Sequence, residues 1–543
     1  MRHALLAVAL ITLCACDRTT APAPGTPAAP ESTTSRKANG FAYAEADITG
    51  LQSRMARGEL SSHQLTQAYL DRIAAIDKAG PMLNSVIELN PDALKDADAR
   101  DAERKAGRVR SPLHGIPVLL KDNIDATPMV NSAGSLALAA NRPKRDAFLV
   151  ARLREAGAVI LGKTNLSEWA NFRSTRSTSG WSGRGGQTKN PYVLDRNPCG
   201  SSSGTGTAIA ADLATVGIGT ETDGSIICPA SVAGLVGLKP TVGLVSRDGI
   251  IPISSSQDTA GPMTRSVADA AVLLAAIAGR DDADAVTSSS VGRAVFDYPM
   301  HLKADGLKGA RIGVLRKSMG FHPDVDAAME KAIVAMKAAG ATVVDAEIAT
   351  AGQWDAPELE VLLYEFKAGL ERYLASHDAP VRTLAQLIAW NKLHAKEEMP
   401  YFAQELFEKA EAKGPLGDPA YLDARSLSRR LAGEQGIDAT LQAQQLDALI
   451  APSMSPAWLT DPVLGDHFVG AGYGAAAVAG YPSLSVPMGD SHGTPLGIVF
   501  MGPAWSEPRL IELGYAFEQL TKSRKPPQFL PTLELAVPVA QAK

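Results

Sequence analysis

The sequence predicts an α/β fold, and three textures along the chain carry that reading. Between about Pro112 and Pro262, short apolar runs are separated by glycine, serine and proline. VLL at 118–120, AVIL at 158–161 and VGIG at 216–219 read as buried strands feeding loops. Further on, RIGVL at 311–315, a helical stretch around 324–338 and ATVV at 341–344 give a strand, helix, strand succession. Strand signals then return at ALIAPS (448–453), SLSVPM (483–488) and LGIVFMG (496–502), so the sheet is completed late in the chain.

The other segments follow in order. Residues 1–16, MRHALLAVALITLCAC, place Arg2 ahead of an apolar run and then small residues, the layout of an export signal. Leu13-Cys14-Ala15-Cys16 resembles a bacterial lipobox, which would leave Cys16 as a lipid-modified N-terminus, and ordinary cleavage nearby is the alternative. The implied location is periplasmic, with or without a membrane anchor. Residues 17–39, with Pro22, Pro24, Pro27 and Pro30, are too poor in apolar surface to fold and read as a tether to a catalytic domain over 40–543. Leu65, Tyr69, Ile73 and Ile76 share a helical face behind the capping candidates Ser61 and Ser62. The stretch 350–440 is the most helical and charged, with Glu358, Glu360, Glu365, Lys367 and Arg372, and reads as a helical excursion whose charges face solvent.

Composition narrows the function. The 543 residues are 45% hydrophobic and 20% charged, enough to bury a large core. A formal charge of −5 supplies no basic stripe for phosphates, which excludes nucleic acid as the expected partner and points to a small or peptidic substrate. Of four cysteines, two lie in the leader, leaving Cys199 and Cys228, which an oxidising compartment would allow to pair or stay free. No CxxC and no HExxH is present, so no metal is expected.

Two motifs mislead. GAVILGKT, Gly157 to Thr164, fits the phosphate-loop pattern, but a phosphate cradle needs free backbone amides and here the intervening residues are an apolar strand; Lys163 reads as packed or paired at the strand end. GSSSG, Gly200 to Gly204, fits the nucleophile elbow with Ser202 as nucleophile. No strand leads into it, and His377, His394, His467 and His492 have no recognisable context as a base. Taken alone, the serines could simply cap a helix. A second serine closes GTETDGS at 219–225, and a lone lysine sits in HGIPVLLKDNID at 114–125.

Together with GAVILGKTNLSEWANF, the GSSSG run, GTETDGSIICPASVAGLVGLKPTVGLVS, QDTAGPMTRSVADAA and AGYPSLSVPMG, these segments resemble the amidase signature family from about Phe41 to beyond Met501. The GTETDGSI and NLSEWANF wording is most similar to bacterial peptide amidases. The resemblance implies one large α/β/α domain with a twisted mixed central sheet flanked by many helices, no cofactor, and a monomer. It implies a triad of Lys121 as base, Ser201 as a cis-serine and Ser225 as nucleophile, with Thr222, Asp223, Gly224 and Ser225 supplying oxyanion-hole amides. It also implies that Trp169, Asn171 and Phe172 wall the substrate channel, that His114 orders the loop before the lysine strand, and that Asp258 and Arg265 form a structural pair.

The chemistry agrees with this assignment, because a serine needs a base and a lysine is a base only when neutral, as burial behind Val118, Leu119 and Leu120 would make it. The family run GGSSGGS stands here as CGSSSGT, and positions commonly Gly and Arg are Asp223 and Ile227. A carboxylate facing an oxyanion would be unfavourable, so the Asp223 side chain is expected to point elsewhere. The expected reaction is hydrolysis of a peptide C-terminal carboxamide. The alternatives are an amidase for other small, aryl or acyl amides, a Ser202 esterase, an amidotransferase subunit, and a non-catalytic exported solute-binding protein.

Overall fold

Among the described residues, thirteen strands follow one another as β1 (Val86–Leu89), β2 (Pro117–Lys121), β3 (Val159–Thr164), β4 (Trp181–Ser182), β5 (Gly186–Gln187), β6 (Val216–Glu221), β7 (Val236–Lys239), β8 (Thr259–Thr264), β9 (Arg311–Leu315), β10 (Thr342–Ala346), β11 (Ala448–Pro452), β12 (Ser483–Ser491) and β13 (Thr494–Met501). This computed structural model describes residues 40–377 and 379–533; the expected leader, Cys16 and the tether to residue 39 lie outside the described residues. Eleven strands form one sheet in the order β1-β3-β2-β6-β8-β7-β12-β13-β11-β9-β10, and β4 pairs with β5 in a separate ribbon. Pairing is parallel at β3-β2-β6 and at β11-β9-β10 and antiparallel elsewhere, so the sheet is mixed, as the sequence predicts.

Strand alternation sends side chains into different hydrophobic clusters. Ala448 and Ile450 of β11 and Ile498 and Phe500 of β13 join one cluster, whereas Leu449, Ala451, Val499 and Met501 join another. The sheet is therefore buried on both faces, which requires helices on each. The first cluster takes Leu65 and Tyr69 from the helix Ser62–Arg72, whose start is closed by a capping box between Ser61 and Gln64. It also takes Met329 from Pro323–Ala338 and Phe517 from Glu507–Thr521.

Three strands of the large sheet, β1, β7 and β8, and both strands of the ribbon lie outside the runs singled out in sequence, being short or interrupted by glycine and proline. The helical excursion is correctly placed, but the reading of its charges needs correction. On the helix Asp355–Ser376, Glu365 is buried and accepts hydrogen bonds from Ser254 Oγ (2.5 Å), Ser256 N (2.8 Å), Ser256 Oγ (2.6 Å) and Tyr421 Oη (2.6 Å). Glu358, also buried, accepts from Gln257 Nε2 at 2.8 Å. These carboxylates hold the 254–257 loop from behind, because buried loop hydroxyls and amides need acceptors that apolar residues cannot supply.

Candidate active site

The apolar run of β2 carries Lys121 to the strand end with no exposed surface. The neighbouring parallel strand β6 is in register with β2 (Val118 opposite Val216), which sets Thr220 beside the lysine amine. The third contributor is the turn before the buried helix Ser203–Ala210. There Gly200–Ser201 is a cis peptide, and a Cβ on Gly200 would lie 2.1 Å from Ser167 Oγ, so only glycine fits.

These elements converge on an unbroken chain of contacts. Lys121 Nζ lies 2.8 Å from Ser201 Oγ, and Ser201 Oγ lies 2.9 Å from Ser225 Oγ. The amine also contacts Thr220 O at 3.1 Å and Thr220 Oγ1 at 2.9 Å, and Asn123 Nδ2 donates to the same hydroxyl at 3.0 Å. Burial lowers the Lys121 pKa to about 7, against the opposing pull of Asp258 and Glu221. A neutral amine has two N–H groups and one lone pair. In the structure the amine donates to Ser201 Oγ and Ser201 Oγ donates to Ser225 Oγ; once neutral, an amine whose two N–H groups point to Thr220 O and Oγ1 can turn its lone pair to the Ser201 hydroxyl.

The turn bearing Ser225 is shaped from behind. Gly224 has φ +77° and packs against Tyr473, whose ring would lie 2.3 Å from any Cβ there, so no side chain is tolerated. Glu221 Oε2 accepts from Ile226 N (2.7 Å) and Ile227 N (2.9 Å), and Gly224 N–H also faces this carboxylate. Of the four amides expected to line an oxyanion hole, those of Thr222, Asp223 and Ser225 donate to no protein acceptor among the described residues. The Asp223 side chain leaves the Ser225 cleft, as expected, and lines a separate cavity with Trp354 and Tyr473. Although Asp223 reaches solvent in that cavity, crowding by protein atoms and the nearby Glu358 and Glu221 push its carboxyl above the usual range.

A cleft of about 330 Å³ opens over this centre. Its floor is formed by the buried residues Ser201, Thr220, Thr222 and Ser225, while Arg145, Ser255 and Arg372 reach solvent at its mouth. Asp258 also lines it. Burial raises the Asp258 carboxyl to about 6, although Thr222 Oγ1 (2.5 Å) and the amides of Ile253 and Ser254 (both 2.8 Å) donate to it. Asp258 and Arg265 are therefore not a pair. Arg265 instead contacts Asp212 at 3.4 Å and the carbonyls of Ile209 and Ala214, on another part of the chain.

The wall assigned to Trp169, Asn171 and Phe172 needs a similar correction. Trp169 and Phe172 belong to a buried cluster, Trp169 edge-on to Phe407 (5.7 Å) and Phe172 against Phe366 (5.1 Å), and Asn171 Nδ2 donates to Ser179 Oγ at 3.1 Å. The backbone from 169 to 171 is left-handed (φ 50°, 53°, 69°), and Ala170 is the residue of this stretch on the cleft wall.

Ser202 does not have the surroundings of an elbow nucleophile. It is buried, accepts from Thr220 N at 3.2 Å and donates to Thr220 O at 3.1 Å. The one candidate histidine on the cleft, His377, has Nε2 2.9 Å from Asp125 Oδ2 and Nδ1 2.9 Å from Tyr373 O. Nδ1 also lies 2.9 Å from Ser376 Oγ, so both ring nitrogens are engaged by Asp125, Tyr373 and Ser376 and neither contacts a serine of the 201–203 run. Lys163 is buried at the end of β3 and paired with Asp122 at 3.1 Å, as the strand reading of GAVILGKT requires. His114, buried in the loop before β2, is held by Arg100 O at 3.0 Å. Cys199 and Cys228 form a disulfide (Cα–Cα 6.0 Å) that ties the turn before Ser201 to the helix after Ser225. Thr220 and Asp258 sit inside quoted motifs, yet nothing in the motifs marks their contacts.

Comparison with known proteins gives one consistent result. The model of the family described as Amidase matches residues 64–511. A crystal structure of the peptide amidase PAM with the competitive inhibitor chymostatin is similar at 62% identity and TM-score 0.89, covering 90% of this chain and 100% of that one. The native peptide amidase of Stenotrophomonas maltophilia is similar at 61% identity and TM-score 0.87, covering 90% and 99%. A probable amidase of Arabidopsis thaliana is 43% identical over 507 residues, 91% of this chain and 94% of the relative.

Proposed function

Because the chain belongs to the amidase family, we propose that it hydrolyses the C-terminal carboxamide of peptides to the free acid and ammonia, through an acyl-enzyme on Ser225. Amide hydrolysis itself follows from the family. The single observation that carries the finer reading is the contact chain from Lys121 Nζ through Ser201 Oγ to Ser225 Oγ, at 2.8 and 2.9 Å, on the floor of the cleft.

Ser225 Oγ attacks the carboxamide carbon while its proton passes to Ser201 and the Ser201 proton passes to neutral Lys121. The carbonyl oxygen takes the negative charge and is met by the free amides of Thr222, Asp223 and Ser225. The C–N bond then breaks, the nitrogen takes the proton back along the same relay, and ammonia leaves. Water repeats the sequence on the acyl carbon, releasing the peptide acid and restoring Ser225. Asp258 on the floor favours a neutral carboxamide over a carboxylate, so above about pH 6 it also helps expel the acid product.

The peptide as substrate class is supported by the likeness at 62% identity to a protein described as a peptide amidase. The disulfide supports the expectation of export, since such bonds persist in oxidising compartments. The test is ammonia release from a short acetylated peptide amide beside aryl and acyl amides, with mass spectrometry after a fluorophosphonate. Release from the peptide amide and a label on Ser225 are expected. Turnover of only the other amides would leave the family and remove the peptide; an unlabelled Ser225 would remove the mechanism.

A further inference from the structure

A peptide whose terminal carboxamide reaches the buried floor must send its upstream residues out through the mouth, where Arg145, Ser255 and Arg372 meet solvent. The charges there are almost all spoken for. Arg145 is bound by both oxygens of Asp248, with Nη2 to Oδ1 at 2.7 Å. Arg247 makes a two-pronged pair with Asp284, at 2.7 and 2.8 Å. The His377 ring is matched by Asp125 at 2.9 Å. Arg372, on the cleft-facing side of the helix Asp355–Ser376 one turn before Ser376, makes no ion pair or hydrogen bond among the described residues. Among the described residues that line the mouth, Arg372 is therefore the positive charge without an ion-pair partner, while the cleft floor carries the carboxyl of Asp258.

From this polarity we infer that Arg372 selects peptide amides bearing a carboxylate side chain a few residues upstream of the amide. The inference rests on the peptide-amide reading. An acidic residue at the amide position itself would meet Asp258, so the preference is confined to upstream positions. The selecting charge is remote from the reacting atoms and exposed, so it acts mainly through KM and is weakened by salt.

The experiment measures kcat/KM by ammonia release for acetyl-Asp-Ala-Phe-amide, its Asn counterpart and its Lys counterpart, in wild type and in Arg372→Gln, Arg372→Lys and Arg372→Glu. Wild type is expected to favour Asp over Asn by about threefold, the scale of one exposed pair, with Lys below Asn. The Asp-to-Asn ratio falls to one in Arg372→Gln, survives in Arg372→Lys and inverts in Arg372→Glu. Equal rates on all three peptides in wild type would overturn the inference alone. A ratio unchanged in Arg372→Gln would overturn the assignment to Arg372. If wild type released ammonia from none of them, the peptide-amide reading would fall and this inference with it.

Discussion

Lowering the pH below 7 should switch the enzyme off by protonating Lys121, and the structure sets the size of the effect. A lysine at its ordinary 10.5 would be neutral in roughly one molecule in three thousand at pH 7, whereas burial brings Lys121 to about 7 and leaves about half the molecules neutral. Only the neutral amine can receive the Ser225 proton, so kcat/KM rises with pH through about 7 and falls close to tenfold per pH unit below it. Between pH 7 and pH 5 the neutral fraction drops from about one half to about one in a hundred, a loss of roughly fiftyfold. Asp258, which supports the charged amine, itself gains a proton near 6 and so softens the limb at its lower end. The assay is kcat/KM for ammonia release from a peptide amide without ionising side chains, with circular dichroism at each pH to show that the fold persists. A flat profile from pH 5 to 8, or a midpoint near 10, would refute the neutral-lysine mechanism, as would a Lys121→Ala variant working at the wild-type rate.

Asp258→Asn removes a charge that raises the Lys121 value, so the acid limb should move to lower pH, read from the same profile. Ser225→Ala should lose at least about a thousandfold in kcat while melting at the wild-type temperature. Ser202→Ala, which loses only paired contacts to Thr220, should stay within about fivefold of wild type in steady-state assays and lose about 1 kcal/mol in denaturant titration. Replacing both Cys199 and Cys228 by serine opens a loop with sequence separation 29. By loop closure this should lower unfolding stability by roughly 3–4 kcal/mol, visible as a drop in Tm in calorimetry, and the Tm should move less on adding a reductant to the variant than to wild type.

Much of the centre was readable from sequence because its residues sit where apolar runs end. Lys121 closes the VLL strand and Ser225 closes the turn after VGIG, and a strand end in an α/β sheet delivers a side chain to the cleft edge. The runs buried on both faces are continuous and apolar, so β2, β3, β6 and β9 were plain, whereas β8, TAGPMT, carries glycine and proline and shows no period. The charges of 350–440 misled for a different reason. A glutamate in a helical pattern is solvated unless something polar packs on it, and the partners of Glu365, Ser254 and Ser256, lie about a hundred residues away along the chain.

Local composition and periodicity thus determined the α/β class and most strand positions, while the three residues of the proposed relay came from the resemblance of short motifs to the amidase signature family. Only the folded chain decided that Ala170 and not Trp169 faces the cleft, that Asp258 turns to Thr222 and not to Arg265, and that Arg372 at the mouth has no ion-pair partner among the described residues. Those outcomes depend on which groups from distant segments meet, and a hydrogen bond or an ion pair over a few ångströms leaves no period in the sequence for a reader to find.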